Sequence, residues 1–123
     1  MTQAKPNILI VEDDFISREV LKAMLSCYPV TVQCAESGAE ALAAIATQTP
    51  QLLLLDHELP DMTGVALYQL LIEQLPNTPA ALISSHAVDL LIDDAQVAGI
   101  AHVLSKPLEP SQLADLLRVT GCI

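Results

Sequence analysis

Seven side chains in this sequence could act together on a phosphoryl group, and each follows a short aliphatic run. Glu12, Asp13 and Asp14 follow NILIV, Asp56 follows QLLLL, Ser84 and Ser85 follow AALI, and Lys106 stands just beyond AHVL. Carboxylates brought together from separate strand ends repel one another, and their protonation shifts upward unless a cation joins them. A hard divalent ion relieves that repulsion. Mg²⁺ takes a few carboxylates and completes its shell with carbonyls, water and phosphate oxygens. The chemistry that combines a carboxylate, Mg²⁺, a hydroxyl and a lysine is phosphoryl transfer, where positioning and charge neutralisation do most of the work. Asp56 would be the nucleophile, forming an aspartyl phosphate, with Ser84 and Lys106 each holding a different phosphoryl oxygen. No G-x-x-x-x-G-K loop occurs, so nucleotide binding by that route is excluded.

These residues need a scaffold that delivers strand ends to one place. Asn7 to Val11 reads as a buried strand, and Ile16, Val20, Leu21, Met24 and Leu25 recur at helical spacing until Pro29. Val30 to Ala35 is β-rich, and Ser37-Gly38-Ala39-Glu40 has the form of a capping box opening an Ala-rich helix that ends near Thr49-Pro50. Gln51 to Leu55 is the third strand, and the segment after Gly64 is helical until Pro76. Ala80 to Ile83 is the fourth strand, Val88 to Ala98 a helix stopped by Gly99, and Ala101 to Leu104 the fifth strand. Pro110 opens the last helix, with Leu113, Leu116 and Leu117 on one face. Five strand-helix units in alternation predict one α/β domain built on a parallel sheet covered on both faces. In such sheets ligands bind beyond the carboxyl ends of the strands, where the reactive residues above fall.

Composition limits the partners. The chain has 123 residues, 52% of them hydrophobic, with Phe15, Tyr28 and Tyr68 its only aromatics, so aliphatic side chains must fill the core. Against 15 acidic residues stand 5 basic ones, a formal net charge of −10. Five dispersed cations cannot form the basic stripe that a nucleic acid or an anionic membrane requires. Cys27, Cys34 and Cys122 form no CxxC pair and read as free, buried thiols, which suits a reducing cytoplasm. No apolar run is long enough for a signal peptide or a membrane span. The expectation is a cytoplasmic protein.

Four motifs in order, ILIVEDD at 8–14, LLLLDHELPDMTG at 52–64, ALISSHA at 81–87 and LSKPLE at 104–109, resemble those of the response-regulator receiver domain of two-component signalling. The resemblance runs from Ile8 to Leu117, and it assigns 7–119 to the domain, with short tails at 1–6 and 120–123. It implies a flavodoxin-like, doubly wound five-stranded parallel sheet of order 2-1-3-4-5 with five flanking helices. It also implies that Asp56 is the phosphoacceptor, Ser84 the switch hydroxyl and Lys106 the phosphate-contacting lysine. Mg²⁺ would be held by Asp13, Asp56 and the Glu58 backbone carbonyl, with Glu12 acting through water. The implied partner is a sensor histidine kinase or a histidine phosphotransfer domain, and the only catalysis is self-catalysed phosphorylation and dephosphorylation, not turnover of a substrate.

Two positions depart from the family pattern. Val103 stands where many receivers carry an aromatic switch residue, and Ser85 stands where Ala is common. Glu58 and His86 flank the site at positions associated with the lifetime of the phosphoryl group. His57 and His102 read as surface residues, Asp14 and Asp61 as caps. Leu90, Leu91 and Ile92 make a stripe wider than one buried face needs, which leaves core packing and a partner or homodimer surface on the fourth helix and fifth strand both open. Two other functions remain in view: a docking module indifferent to phosphorylation, motivated by Val103, and a Mg²⁺-dependent phosphatase with an Asp nucleophile. The phosphatase pattern is D-x-D, whereas this chain has Asp56-His57-Glu58.

Overall fold

A computed structural model describes residues 5–85 and 88–123, with side chains placed for all of these but 88–90. The elements in chain order are β1 (Asn7–Val11), α1 (Phe15–Leu25), β2 (Thr31–Ala35), α2 (Gly38–Thr47), β3 (Leu52–Asp56), α3 (Gly64–Leu71), β4 (Ala80–Ser84), α4 (Val88–Ala98), β5 (His102–Ser105) and α5 (Pro110–Val119). All strand pairings are parallel and the order is β2-β1-β3-β4-β5, the arrangement that the resemblance implied. The strand order reverses between β1 and β3, so the crevice expected of such a sheet opens at the carboxyl ends of these two strands.

Alternation along each strand sorts the core into two layers. Ile8, Ile10, Leu52, Leu54, Ala81 and Ile83 pack on one face against Leu21 and Leu25 of α1 and Leu113, Leu116 and Leu117 of α5. Leu9, Val11, Leu53, Leu55 and Leu82 pack on the other against Ala41 and Ile45 of α2, Leu67, Tyr68 and Leu71 of α3 and Ala95 of α4. Strands β1, β3 and β4 are buried throughout, which is why they read as continuous apolar runs. Among the described residues, no helix is long and apolar enough to cross a membrane.

The helix starts are fixed by side chains at the expected places. Asp14 accepts from the Ser17 amide at 2.8 Å, Ser37 from the Glu40 amide at 3.1 Å and Thr63 from the Ala66 amide at 3.1 Å. The Glu40 carboxylate turns to the amide of Glu36, at 3.2 Å, so the box closes one residue earlier than its motif suggests. Gly99, with φ of 97°, ends α4 in the left-handed region that favours glycine.

Two expectations are corrected, the extent of α3 and the burial of the cysteines, and the exposed side of α1 is a further finding. Helix α3 stops at Leu71, well before Pro76, because the residue preceding a proline is pushed out of the helical region and Leu75 must still reach the core. The chain unwinds through bonds from the Gln74 and Leu75 amides to the Leu71 carbonyl. On α1 only Leu21 and Leu25 are fully buried, whereas Ile16 and Val20 are 66% and 52% exposed. Finally, Cys27 and Cys34 are exposed, and only Cys122 is buried. Cys27 lies past the end of α1, and Cys34 stands on β2, the strand at one edge of the sheet.

Gly64 is the tightest point near the crevice. A Cβ there would lie 2.5 Å from Leu82 Cδ1, 2.7 Å from the Asp56 carbonyl oxygen and 3.0 Å from His57 Cα. Two of these atoms are backbone and cannot swing aside. Gly64→Ala is therefore expected to lower stability by about 1–3 kcal/mol, read as a fall in the urea midpoint followed by circular dichroism.

Candidate functional site

The crevice collects residues from three strand ends. Glu12 follows β1 with its side chain buried, at 1% exposure, and its amide donates to the Ala35 carbonyl at 3.0 Å. Asp56 ends β3 and is also buried, while Asp13 faces solvent. One oxygen from each of Glu12, Asp13 and Asp56 falls in a group whose members all lie within 4.8 Å of one another. Lys106, just after β5, answers them: its ammonium pairs with Glu12 Oε1 and lies 3.2 Å from Asp56 Oδ1. Alternation explains the meeting. Asp56 and Lys106 continue the strand faces that carry Leu54 and Leu104, both on the α1 and α5 side of the sheet.

The electrostatics are those of crowded charge. Burial pushes the Glu12 carboxyl above its ordinary range, and the neighbouring Asp56 adds to this, against the opposing pull of Lys106. Burial alone would depress the Lys106 ammonium, but its hydrogen bond to Glu12 and the charge of Asp56 outweigh that and raise it. Asp14 turns away to cap α1, and the Ser17 amide holds its carboxyl below the usual range. Three convergent carboxylates with hard oxygen donors fit Mg²⁺ in chemistry and number, leaving coordination positions for a carbonyl, water or phosphate.

Ser84 and Ser85 differ in placement. Ser84 ends β4 and is buried, and its carbonyl accepts the Lys106 amide at 2.8 Å, tying the ends of β4 and β5 together. Ser85 is exposed. Of the remaining sequence candidates, Glu58 is exposed in the loop after β3 and its carboxylate lies outside the cluster of three. Its backbone bridges to Thr63. His57 is half-buried with Nδ1 lacking a partner, His102 is half-buried on β5, and Val103 packs into the core on the α2 side. His86 and the side chain of Leu90 lie outside the described residues. Leu91 and Ile92 are half-buried, with Leu91 against the core.

Two contributors escape a reading by motif. Arg18 donates to the Glu12 carbonyl at 3.0 Å and reaches Glu36 at 3.4 Å, fixing the backbone that presents the acidic pair. Its signal is the scarcity of cations, one of which falls a helical turn beyond the acids. Asp61 does cap a helix, but not its own. It accepts from the amides of Gly38 and Ala39 at the start of α2. Beside the carboxylates a groove of about 370 Å³ runs between α1 and the segment after β5, with Ile16, Val20, Met24, Pro107 and Leu108 among its lining residues.

A family model described as the response regulator receiver domain matches residues 8–118. The DNA-binding transcriptional regulator NtrC of Escherichia coli (strain K12) is 32% identical over 111 residues, which cover 89% of this chain and 24% of that protein. The chain thus spans about a quarter of the length of that relative. The two-component response regulator ORR5 of Oryza sativa subsp. japonica is 28% identical over 114 residues, 90% of this chain and 85% of its own. Among crystal structures, a CheY-like response regulator receiver domain protein from Methanospirillum hungatei JF-1 superposes with a TM-score of 0.87 at 27% identity, covering 94% of this chain and 93% of that one.

The charge balance at the crevice can be tested by removing its cation. Lys106→Met leaves the buried Glu12 facing Asp56 and raises the Glu12 carboxyl further. A carboxyl raised in the folded state imposes no penalty below its ordinary value of 4.5 and its full penalty above the raised one. The variant should lose about 1–3 kcal/mol near neutral pH, discounted for the partial solvent access of the lysine. The deficit should shrink as the pH falls toward 4.5. Urea unfolding across that range reads both the loss and its pH dependence.

Proposed function

The chain belongs to the response regulator receiver domain family, and from that premise we propose that it takes a phosphoryl group onto Asp56 from a partner's phosphohistidine and switches a protein-interaction surface. The observation that carries this reading is the convergence of Glu12, Asp13 and Asp56 with the Lys106 ammonium bridging two of them. An Asp56 carboxylate oxygen attacks phosphorus, the P–O bond forms as the P–N bond breaks, and the partner's imidazole, protonated at its other nitrogen, leaves as neutral histidine. Lys106 exchanges part of its contact with Glu12 and Asp56 for a phosphoryl oxygen, and Ser84 turns its hydroxyl to another. When bound at Asp13, Asp56 and the Glu58 carbonyl, with Glu12 behind water, Mg²⁺ supplies charge neutralisation for the transferring group. Because the Lys106 amide is held by the Ser84 carbonyl, movement of either residue is felt at the ends of β4 and β5 and in the segments leading into α4 and α5. Hydrolysis by water, catalysed by the domain itself, resets the switch.

Surface character supports a protein partner. Phe15, Ile16 and Val20 expose an apolar face of α1 beside the crevice, suited to a sensor histidine kinase or a histidine phosphotransfer domain whose phosphohistidine must reach Asp56. Val97 of α4 is 88% exposed and β5 is an edge strand, which supports a homodimer through helix 4 and strand 5. With a net charge of −10, the domain meets proteins in the cytoplasm and leaves any contact with DNA to other chains or domains. A second reading, a constitutive docking module, is favoured by Val103, whose small side chain packs into the core where an aromatic switch would swing.

Treatment with Mg²⁺ and a small acyl phosphate should add one phosphoryl group to the intact mass, trapped by borohydride reduction at Asp56, and Asp56→Asn should gain none. No mass gain, or an equal gain in Asp56→Asn, contradicts the proposal. Ser84→Ala should still accept the group but lose the amide-shift changes that reach α4, whereas Ser85→Ala should keep them. Shift changes that stay within the crevice even in the wild type would favour the docking module.

A further inference from the structure

The loop between β3 and α3 must present the Glu58 carbonyl, and Glu58 is exposed while only Leu59 and Met62 of the loop pack against the core. Part of it is held to the end of β3: the Gly64 amide donates to the His57 carbonyl at 2.8 Å, the Leu59 amide to the Met62 carbonyl at 3.2 Å, and Glu58 bridges Thr63. The other anchor lies on a different element. Asp61 Oδ1 accepts the Gly38 amide at 2.9 Å, and Oδ2 accepts the Ala39 amide at 3.0 Å. These are the first two amides of α2, whose third is already satisfied by Ser37 and whose fourth bonds the Ser37 carbonyl. The carboxylate thus meets two parallel donors and the positive end of the helix dipole. Next to it, Met62 lies directly over Gly38: a Cβ at that position would come within 2.5 Å of its sulfur. Gly38 therefore serves the loop as well as the helix, leaving its amide exposed to Asp61 and its α-carbon bare for Met62.

On the reading that this site binds Mg²⁺, we propose that Asp61 is a positioning residue for the cation, holding the Glu58 loop against the start of α2. Mg²⁺ demands near-ideal octahedral geometry and tolerates poorly oriented ligands badly. A carbonyl on a loop that has lost its tie to α2 samples a wider range of orientations, and those that miss the ion lower affinity without altering any ligand. Asp56 ends β3, and Glu12 and Asp13 follow β1 on backbone held by Arg18 and the Ala35 carbonyl, none of which Asp61 touches, so this loss reaches the ion through the loop.

Asp61→Ala should weaken Mg²⁺ binding about ten-fold, in the range typical of lost outer-shell support, when titrated by backbone amide shifts. Ser37→Ala is the control, because it removes the α2 cap without touching the loop: it should lower thermal stability and leave Mg²⁺ affinity within two-fold of wild type, an estimate of the scatter expected of about 0.4 kcal/mol. Asp61→Asn keeps one acceptor and should fall between wild type and Ala. In metal-free protein, amide exchange across 57–64 should quicken in Asp61→Ala and not in Ser37→Ala. Unchanged affinity and exchange in Asp61→Ala, or an equal loss in Ser37→Ala, overturns the proposal. If wild type itself shows no Mg²⁺ response, the metal reading has failed, and the metal-free exchange still decides whether Asp61 holds the loop.

Discussion

Everything at the crevice follows from confining carboxylates of like charge beside one half-buried ammonium, that of Lys106. At the spacing observed, each pair of full charges among Glu12, Asp13 and Asp56 repels by about 3 kcal/mol at an effective dielectric of about 20. For the buried pair Glu12 and Asp56 that is a sizeable fraction of the net stability of a small domain, about 5–15 kcal/mol. The fold accepts this because strands β1 and β3 are buried on both faces by aliphatic side chains, and their ends have no freedom to part. Lys106 relieves part of the repulsion, and burial makes the Glu12 carboxyl easier to protonate than an ordinary one. A crevice charged in this way attracts cations, which is what the proposed function requires of it.

The same confinement makes the site sensitive. Lys106 is held by ion pairs to Glu12 and Asp56 and by its amide to Ser84, so any new occupant of the crevice must redistribute those contacts. Ser84 ends β4 and Lys106 follows directly on β5, and the chain beyond them leads into α4 and α5. A well-packed sheet transmits such a change as a choice between discrete arrangements, because its interior does not deform continuously. In the proposed switch, exposed apolar residues on α1 would receive the donor, and the α4 and β5 edge would carry the output.

Much of this is legible in the amino-acid sequence. A buried strand that ends in a polar residue announces both its boundary and its chemistry, which is why Glu12, Asp13, Asp56, Ser84 and Lys106 stand out by position. Helix α4 and the Pro110 start of α5 are equally plain, since Gly and Pro act on the backbone directly. The strand order is not: periodicity requires a parallel sheet but is silent on which strands adjoin, and the order comes by resemblance. The exposure of Ile16 and Val20 is hidden because apolar spacing on a helix reads alike whether the stripe is covered or left open. The bond from Asp61 to α2 is hidden for another reason. Its partners are backbone amides, which every residue but proline possesses, so no residue type marks them. Arg18 acts through the Glu12 carbonyl and is silent in the same way.

Whether charge confinement creates a divalent cation site is decided by titrating the wild-type protein with MgCl₂ while following backbone amides. A saturable response at a single site is expected, centred on residues 11–14, 56–59 and 106, with thermal stability rising along the same binding curve. A response that never saturates, or that NaCl of equal ionic strength reproduces, would contradict it.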